Sequence, residues 1–174
     1  MANTYTLIAS STVGSGGASS ITFSSIPATY TDLKVVFSLR SDWSSDPYDY
    51  FVQGIQFNGT TSTYSTRILY GNGSSAASGS DSSTGLRQSY YNAGTSTSST
   101  FANGEMYIPN YTSSNYKSTS IDQVTENNAT ASIAGITAGL WSNTSAITQI
   151  VFLPRSGSNF VQYSTAYLYG INNS

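Results

Sequence analysis

Hydrophobic and polar residues alternate along this chain with the two-residue period of β-strands. In DLKVVFSLRS, Leu33, Val35, Phe37 and Leu39 share one side, and Lys34, Val36, Ser38 and Arg40 share the other. That is the pattern of a strand with one face on a core. SSITFSSI puts Ile21 and Phe23 on one face. FVQGIQFNG does the same with Phe51, Gln53, Ile55 and Phe57, then reaches the turn dipeptide Asn58-Gly59. AITQIVFLP is more continuously apolar and stops at Pro154, as a buried strand would. NFVQYSTAYLYGI is aromatic and apolar almost to the C-terminus.

Further strands are predicted over 5–9, 64–70, 86–91, 101–108, 118–125 and 132–140. No segment carries the i, i+4 charge pattern of a surface helix. About ten short strands separated by Gly, Asn and Ser turns predict an all-β fold. The expected architecture is a single antiparallel β-sandwich over residues 1–174, jelly-roll-like in its connections. Two stretches read as long loops: GNGSSAASGSDSSTG over 71–85 and NAGTSTSSTFANG over 92–104.

Composition narrows the function. Only 8% of residues are charged, against roughly 25% in ordinary soluble domains. Serine and threonine supply 56 of the 174 residues, so hydroxyls cover the surface that charges usually cover. The six basic residues, Lys34, Arg40, Arg67, Arg87, Lys117 and Arg155, are scattered, and the net charge is -2. Such a chain offers no stripe for a phosphate backbone, so nucleic-acid binding is not expected. No apolar run approaches the ~20 residues of a membrane span. The N-terminal MANTYTLIASSTVGSGG has neither a basic start nor a long apolar segment, so no export signal is expected.

Cysteine and histidine are both absent. Stability therefore rests on packing and assembly, with no disulfide frame. The usual base of a serine or cysteine hydrolase and the usual zinc ligands are missing as well. Glu105 and Asp122 are placed to face each other from neighbouring strands, but no spacing singles out a pair of carboxylates. The expectation is a non-enzymatic protein without a cofactor. Asp42, Asp46 and Asp49 cluster in SDWSSDPYDY without the spacing of a calcium loop, and read as turn formers.

Aromatic and amide groups are the remaining candidates. Trp43, Tyr48, Asn110, Tyr111 and Tyr116 could contact a subunit or stack on a sugar, whose faces are apolar and whose rim is polar. In EMYIPNYTSSNYKSTS, Met106 and Ile108 face one way and Glu105 and Tyr107 the other. Pro109 ends that strand, and NYTSSNY reads as a turn presenting Tyr111 and Tyr116, either as contact residues or as packing at the strand end.

FSSIPATYTDLKVVFSLRSD, FNGTTSTYSTRILYGNGSS, YIPNYTSSNYKS and the closing YSTAYLYGI, taken in order, resemble a family of virion structural proteins of tailed bacteriophages. IPATYTDL and LYGNGSS are the most distinctive phrases. The resemblance implies a jelly-roll-like domain on the particle surface, as a capsid decoration (cement) protein, head fibre or tail-fibre component. Its expected partners are the major capsid protein or other virion proteins. Synthesis would be in the host cytoplasm, and the resemblance brings no catalytic residues.

The composition suits that role independently, because interface cores are poor in charge and rich in Tyr, Trp and Phe. An open sandwich also has edge strands, and few Lys or Pro residues blunt them here. A closed homo-oligomer, expected to be a trimer, would cover them. The competing expectation is a receptor-binding module for host-surface glycan. In that case loops 71–85 and 92–104 would lie exposed beside Trp43 and Tyr48.

Overall fold

A computed structural model describes residues 4–50, 54–87, 89–128 and 132–172. Thirteen strands run through the described residues, and no helix. They are β1 (Tyr5–Thr12), β2 (Ile21–Phe23), β3 (Asp32–Leu39), β4 (Tyr48–Tyr50), β5 (Ile55–Phe57), β6 (Tyr64–Gly71), β7 (Ala76–Ser83), β8 (Tyr90–Asn92), β9 (Ala102–Ile108), β10 (Lys117–Val124), β11 (Ala134–Trp141), β12 (Ile150–Phe152) and β13 (Thr165–Ile171).

Eight of them form one antiparallel sheet in the order β1-β13-β3-β9-β10-β11-β6-β7. A three-stranded sheet, β2-β12-β5, and a two-stranded one, β4-β8, complete the fold. Phe37 of β3 meets Phe152 of β12 with ring centroids 5.7 Å apart, and Trp141 of β11 meets Phe57 of β5 at 5.6 Å. The core therefore lies between two layers, and the fold is the expected antiparallel sandwich. A jelly roll divides eight strands between two sheets, whereas here eight strands pair in a single sheet.

The inward side of β3 is the predicted one: Leu33, Val35, Phe37 and Leu39 are all buried. On β9, Ala102, Met106 and Ile108 are buried, and on β10, Ile121. Phe51 and Gln53, part of the predicted strand before Asn58, lie outside the described residues. The strands beyond the predicted runs are β4 and β7, which lie in stretches read as a turn and a loop, while one predicted run is interrupted. The run at 159–171 contributes an isolated bridge at Phe160, then a turn with Tyr163 at φ 72°, and only afterwards β13.

The expected loop 71–85 is instead largely a strand. Asn72 accepts the backbone N–H groups of Ser74 and Ser75 on Oδ1, at 3.1 and 2.9 Å, and Gly73 takes φ 86°. This closes a hairpin, and β7 pairs with β6 over its whole length. The strand escaped the hydrophobic pattern because it is an edge whose inward side chains, Ala77, Gly79, Asp81 and Ser83, are only half-buried. The second expected loop, 92–104, shortens to 93–101 between β8 and β9.

Candidate functional site

No second sheet covers the outer face of the eight-stranded sheet among the described residues. Its rows follow from the register. One reads Ser10, Tyr167, Val36, Glu105, Asp122, Ile136, Leu69 and Ser78 across the strands. The next reads Leu7, Tyr169, Lys34, Tyr107, Ser120, Ala138, Arg67 and Ser80. Solvent-facing positions of a half-buried sheet are normally polar. Here Tyr5, Leu7, Val36, Leu69, Tyr107, Val124, Ile136 and Tyr167 point outward and are exposed. Among the described residues, the other exposed large hydrophobics are Tyr116 and Tyr163.

This face carries Lys34, Arg67, Glu105 and Asp122, and its charge is partly neutralised. Lys34 Nζ lies 2.6 Å from Glu105 Oε2, and that hydrogen bond holds the lysine above its ordinary pKa. The open face measures about 34 Å across the strands and about 25 Å along them, from the usual strand spacing and rise. Its area of about 850 Å² is what one partner contributes to a standard protein interface.

The residues singled out from sequence do not form one site. Asn110, Tyr111 and Tyr116 sit near the start of β3, while Trp43 and Tyr48 lie beyond its other end. The length of β3 separates the groups by about 26 Å. Tyr111, expected to be a presented contact, is fully buried instead. Asn110 takes the left-handed conformation, φ 49°, and its N–H donates to Asp32 Oδ1 at 2.8 Å. That turn sends the next side chain inward, where the Tyr111 phenol donates to the Pro27 carbonyl.

Tyr116, the last residue of the same loop before β10, is 59% exposed. Beneath it the fully buried Lys117 donates from Nζ to the Ser113 and Asn115 carbonyls at 2.7 and 2.6 Å, and to Asn143 at 3.5 Å. The sequence shows this lysine as one of a few charges; its buried clamp depends on the chain folding back.

At the other end, Arg40 holds the segment 93–101. Its guanidinium donates to the Thr97 and Thr100 carbonyls at 2.9 Å, to Ser96 at 3.1 Å and to Gly94 at 3.2 Å. Gly94 N–H in turn donates to the Trp43 carbonyl at 2.6 Å. The half-buried Trp43 ring has the Arg155 guanidinium 4.4 Å from its centre, and Tyr48 packs edge-on against Tyr90 at 5.6 Å. Asp42 accepts the Asn159 N–H at 2.8 Å, a contact between segments distant in sequence rather than the local turn bond read for this stretch, and Asp49 lies in β4. Beside it is a cavity of about 300 Å³ lined by Ser15, Gly16, Gly17, Asp42, Asn159 and Gln162. The Asp49 side chain lies outside the description.

Glu105 and Asp122 are directly opposite across β9 and β10. The depression next to Asp122 holds about 160 Å³, below the ~300 Å³ at which ligand clefts begin. No group of three Asp or Glu side chains converges among the described residues.

No protein family, curated protein or solved structure matches this chain.

Proposed function

We propose that this chain is a non-enzymatic surface protein of a tailed-phage particle that docks on the major capsid protein or another virion protein through the open face of its large sheet. The carrying observation is the concentration of exposed Tyr, Leu, Ile and Val side chains on that one face. Exposed apolar side chains gathered on one face mark interaction sites; here Tyr167 and Val36 lie on one side of the Glu105–Asp122 pair and Ile136 and Leu69 on the other. The Lys34–Glu105 pair would enter the interface already neutralised, which limits the desolvation cost of docking. The family resemblance of the quoted segments supplies the particle as the setting.

The test is re-binding of purified chain to particles stripped of it, with Leu69→Arg and Ile136→Arg introduced together. Docking through the face predicts loss of binding in a variant that still melts cooperatively. Undiminished binding would sink the reading.

The glycan reading draws on the Trp43 end. There the segment 93–101 lies beside Trp43, next to the hydroxyl- and amide-lined cavity at Asp42 and Asn159. Both aromatic rings at that end are already engaged by the chain's own Arg155 and Tyr90, which leaves the sheet face as the better-supported surface. Glycan binding that disappears in Trp43→Ala would reverse that ranking.

A further inference from the structure

The large sheet has two edges, β1 and β7, and they differ in kind. The β1 edge is blunted. Its register slips at a bulge between Leu7 and Ala9, and it carries the bulky Tyr5 and Leu7. Bulges twist an edge away from would-be partners.

The β7 edge has no bulge. It is eight residues long, AASGSDSS, paired to β6 without a register shift, and contains neither Lys nor Pro. Its one charge, Asp81, points inward and lies 3.3 Å from Arg87 Nη1. Alternate residues of such a strand aim both N–H and C=O away from the sheet. These groups form a template for another strand.

We propose that the protein pairs with a second copy of itself, β7 against β7, antiparallel about a two-fold axis near Gly79. The residues themselves point to a second copy. Facing strands must keep outward residues opposite outward ones. A two-fold at Gly79 satisfies this, setting Ser78 against Ser80, Ala76 against Ser82 and Ala77 against Asp81. Every pair is small, and the two Asp81 carboxylates do not meet, so like charges are not juxtaposed across the axis. The β1 edge cannot serve as the complementary strand because its register is broken.

The axis stands perpendicular to the sheet, so the two large sheets become one and both open faces point the same way. The pairing does not depend on the particle reading. If that reading holds, a dimer would offer two docking faces to one shell, and tethering makes the second attachment intramolecular.

The experiment is solution mass by light scattering or sedimentation at micromolar concentration, on the protein alone. The expected mass is twice the 18.4 kDa of one chain, halving in a variant carrying Ser78→Lys and Ser80→Lys. Both side chains are exposed, so the circular dichroism spectrum should be unchanged. The substitutions gather lysines around the axis, where like charges facing one another oppose pairing. If that variant misfolds, Ala76→Lys with Ser82→Lys tests the next pair out from the axis. A monomeric or trimeric wild type, or a dimer indifferent to these lysines, overturns the proposal. Because no particle is involved, that failure is distinct from failure to dock.

Discussion

Tyr107 donates its phenol hydrogen to Asp32 Oδ2 at 2.7 Å, while the other oxygen of the same carboxylate receives the N–H of Asn110. The contact ties the end of β9 to the start of the neighbouring β3 on the open face. The hydrogen bond to Asp32, helped by burial and by the carboxylate charge, raises the phenol to about 12 from its ordinary 10.0.

A phenol raised in the folded state keeps its proton where the unfolded chain has lost it. Its contribution to stability is therefore whole below pH 10 and disappears as pH rises through about 12. Ultraviolet titration should show one tyrosine ionising near pH 12, absent in Tyr107→Phe. Stability of that variant should fall less steeply across this window. If the phenol missing from the variant's curve is one that ionises near pH 10, the assignment is refuted.

Lys117 is the second test. Replacing it with Met keeps much of the stem but leaves the Ser113 and Asn115 carbonyls without their ammonium donor. These acceptors are only part-buried, so losing their charged donor costs about 1–3 kcal/mol. For a domain of this size the melting temperature should drop by roughly 3–10 °C. Proteolysis should also quicken in the loop that carries Tyr116. An unchanged melt would mean the clamp contributes nothing.

Gly170 lies under the ring of Tyr30. A Cβ built there would be 2.3–2.5 Å from three ring atoms. Gly170→Ala should cost about 1–3 kcal/mol through overpacking. Adding Tyr30→Ala should make the alanine at 170 cost much less than it does beside the intact ring. In a double-mutant cycle by urea denaturation, additive costs would show that the ring is not what excludes the methyl.

Arg40 is the only side chain seen to bond four carbonyls of the segment 93–101 among the described residues. Arg40→Met should leave the core strands protected and accelerate amide hydrogen exchange selectively over residues 94–100. Uniform acceleration throughout the chain would instead assign Arg40 to global stability.

Strand identity was legible in the longer segments with one face on the core, though not in the short β4. Burial imprints a period of two on neighbouring residues, as at Leu33, Val35, Phe37 and Leu39. The all-β sandwich followed from repetition of that local pattern. The alternation of Met106 and Ile108 with Glu105 and Tyr107 was equally readable, and so was the outward Val36 between Lys34 and Ser38. What stayed hidden depends on contacts distant in sequence. β7 has no apolar stripe because an edge buries little, so only its pairing with β6 makes it a strand. Tyr111 and Tyr116 look alike in the chain, but the left-handed turn at Asn110 buries the first, and the second stays exposed above the Lys117 clamp. The open face itself is a property of strand order. Tyr167, Val36, Ile136 and Leu69 come from four separate strands, and only the sheet's long-range register sets them in one row.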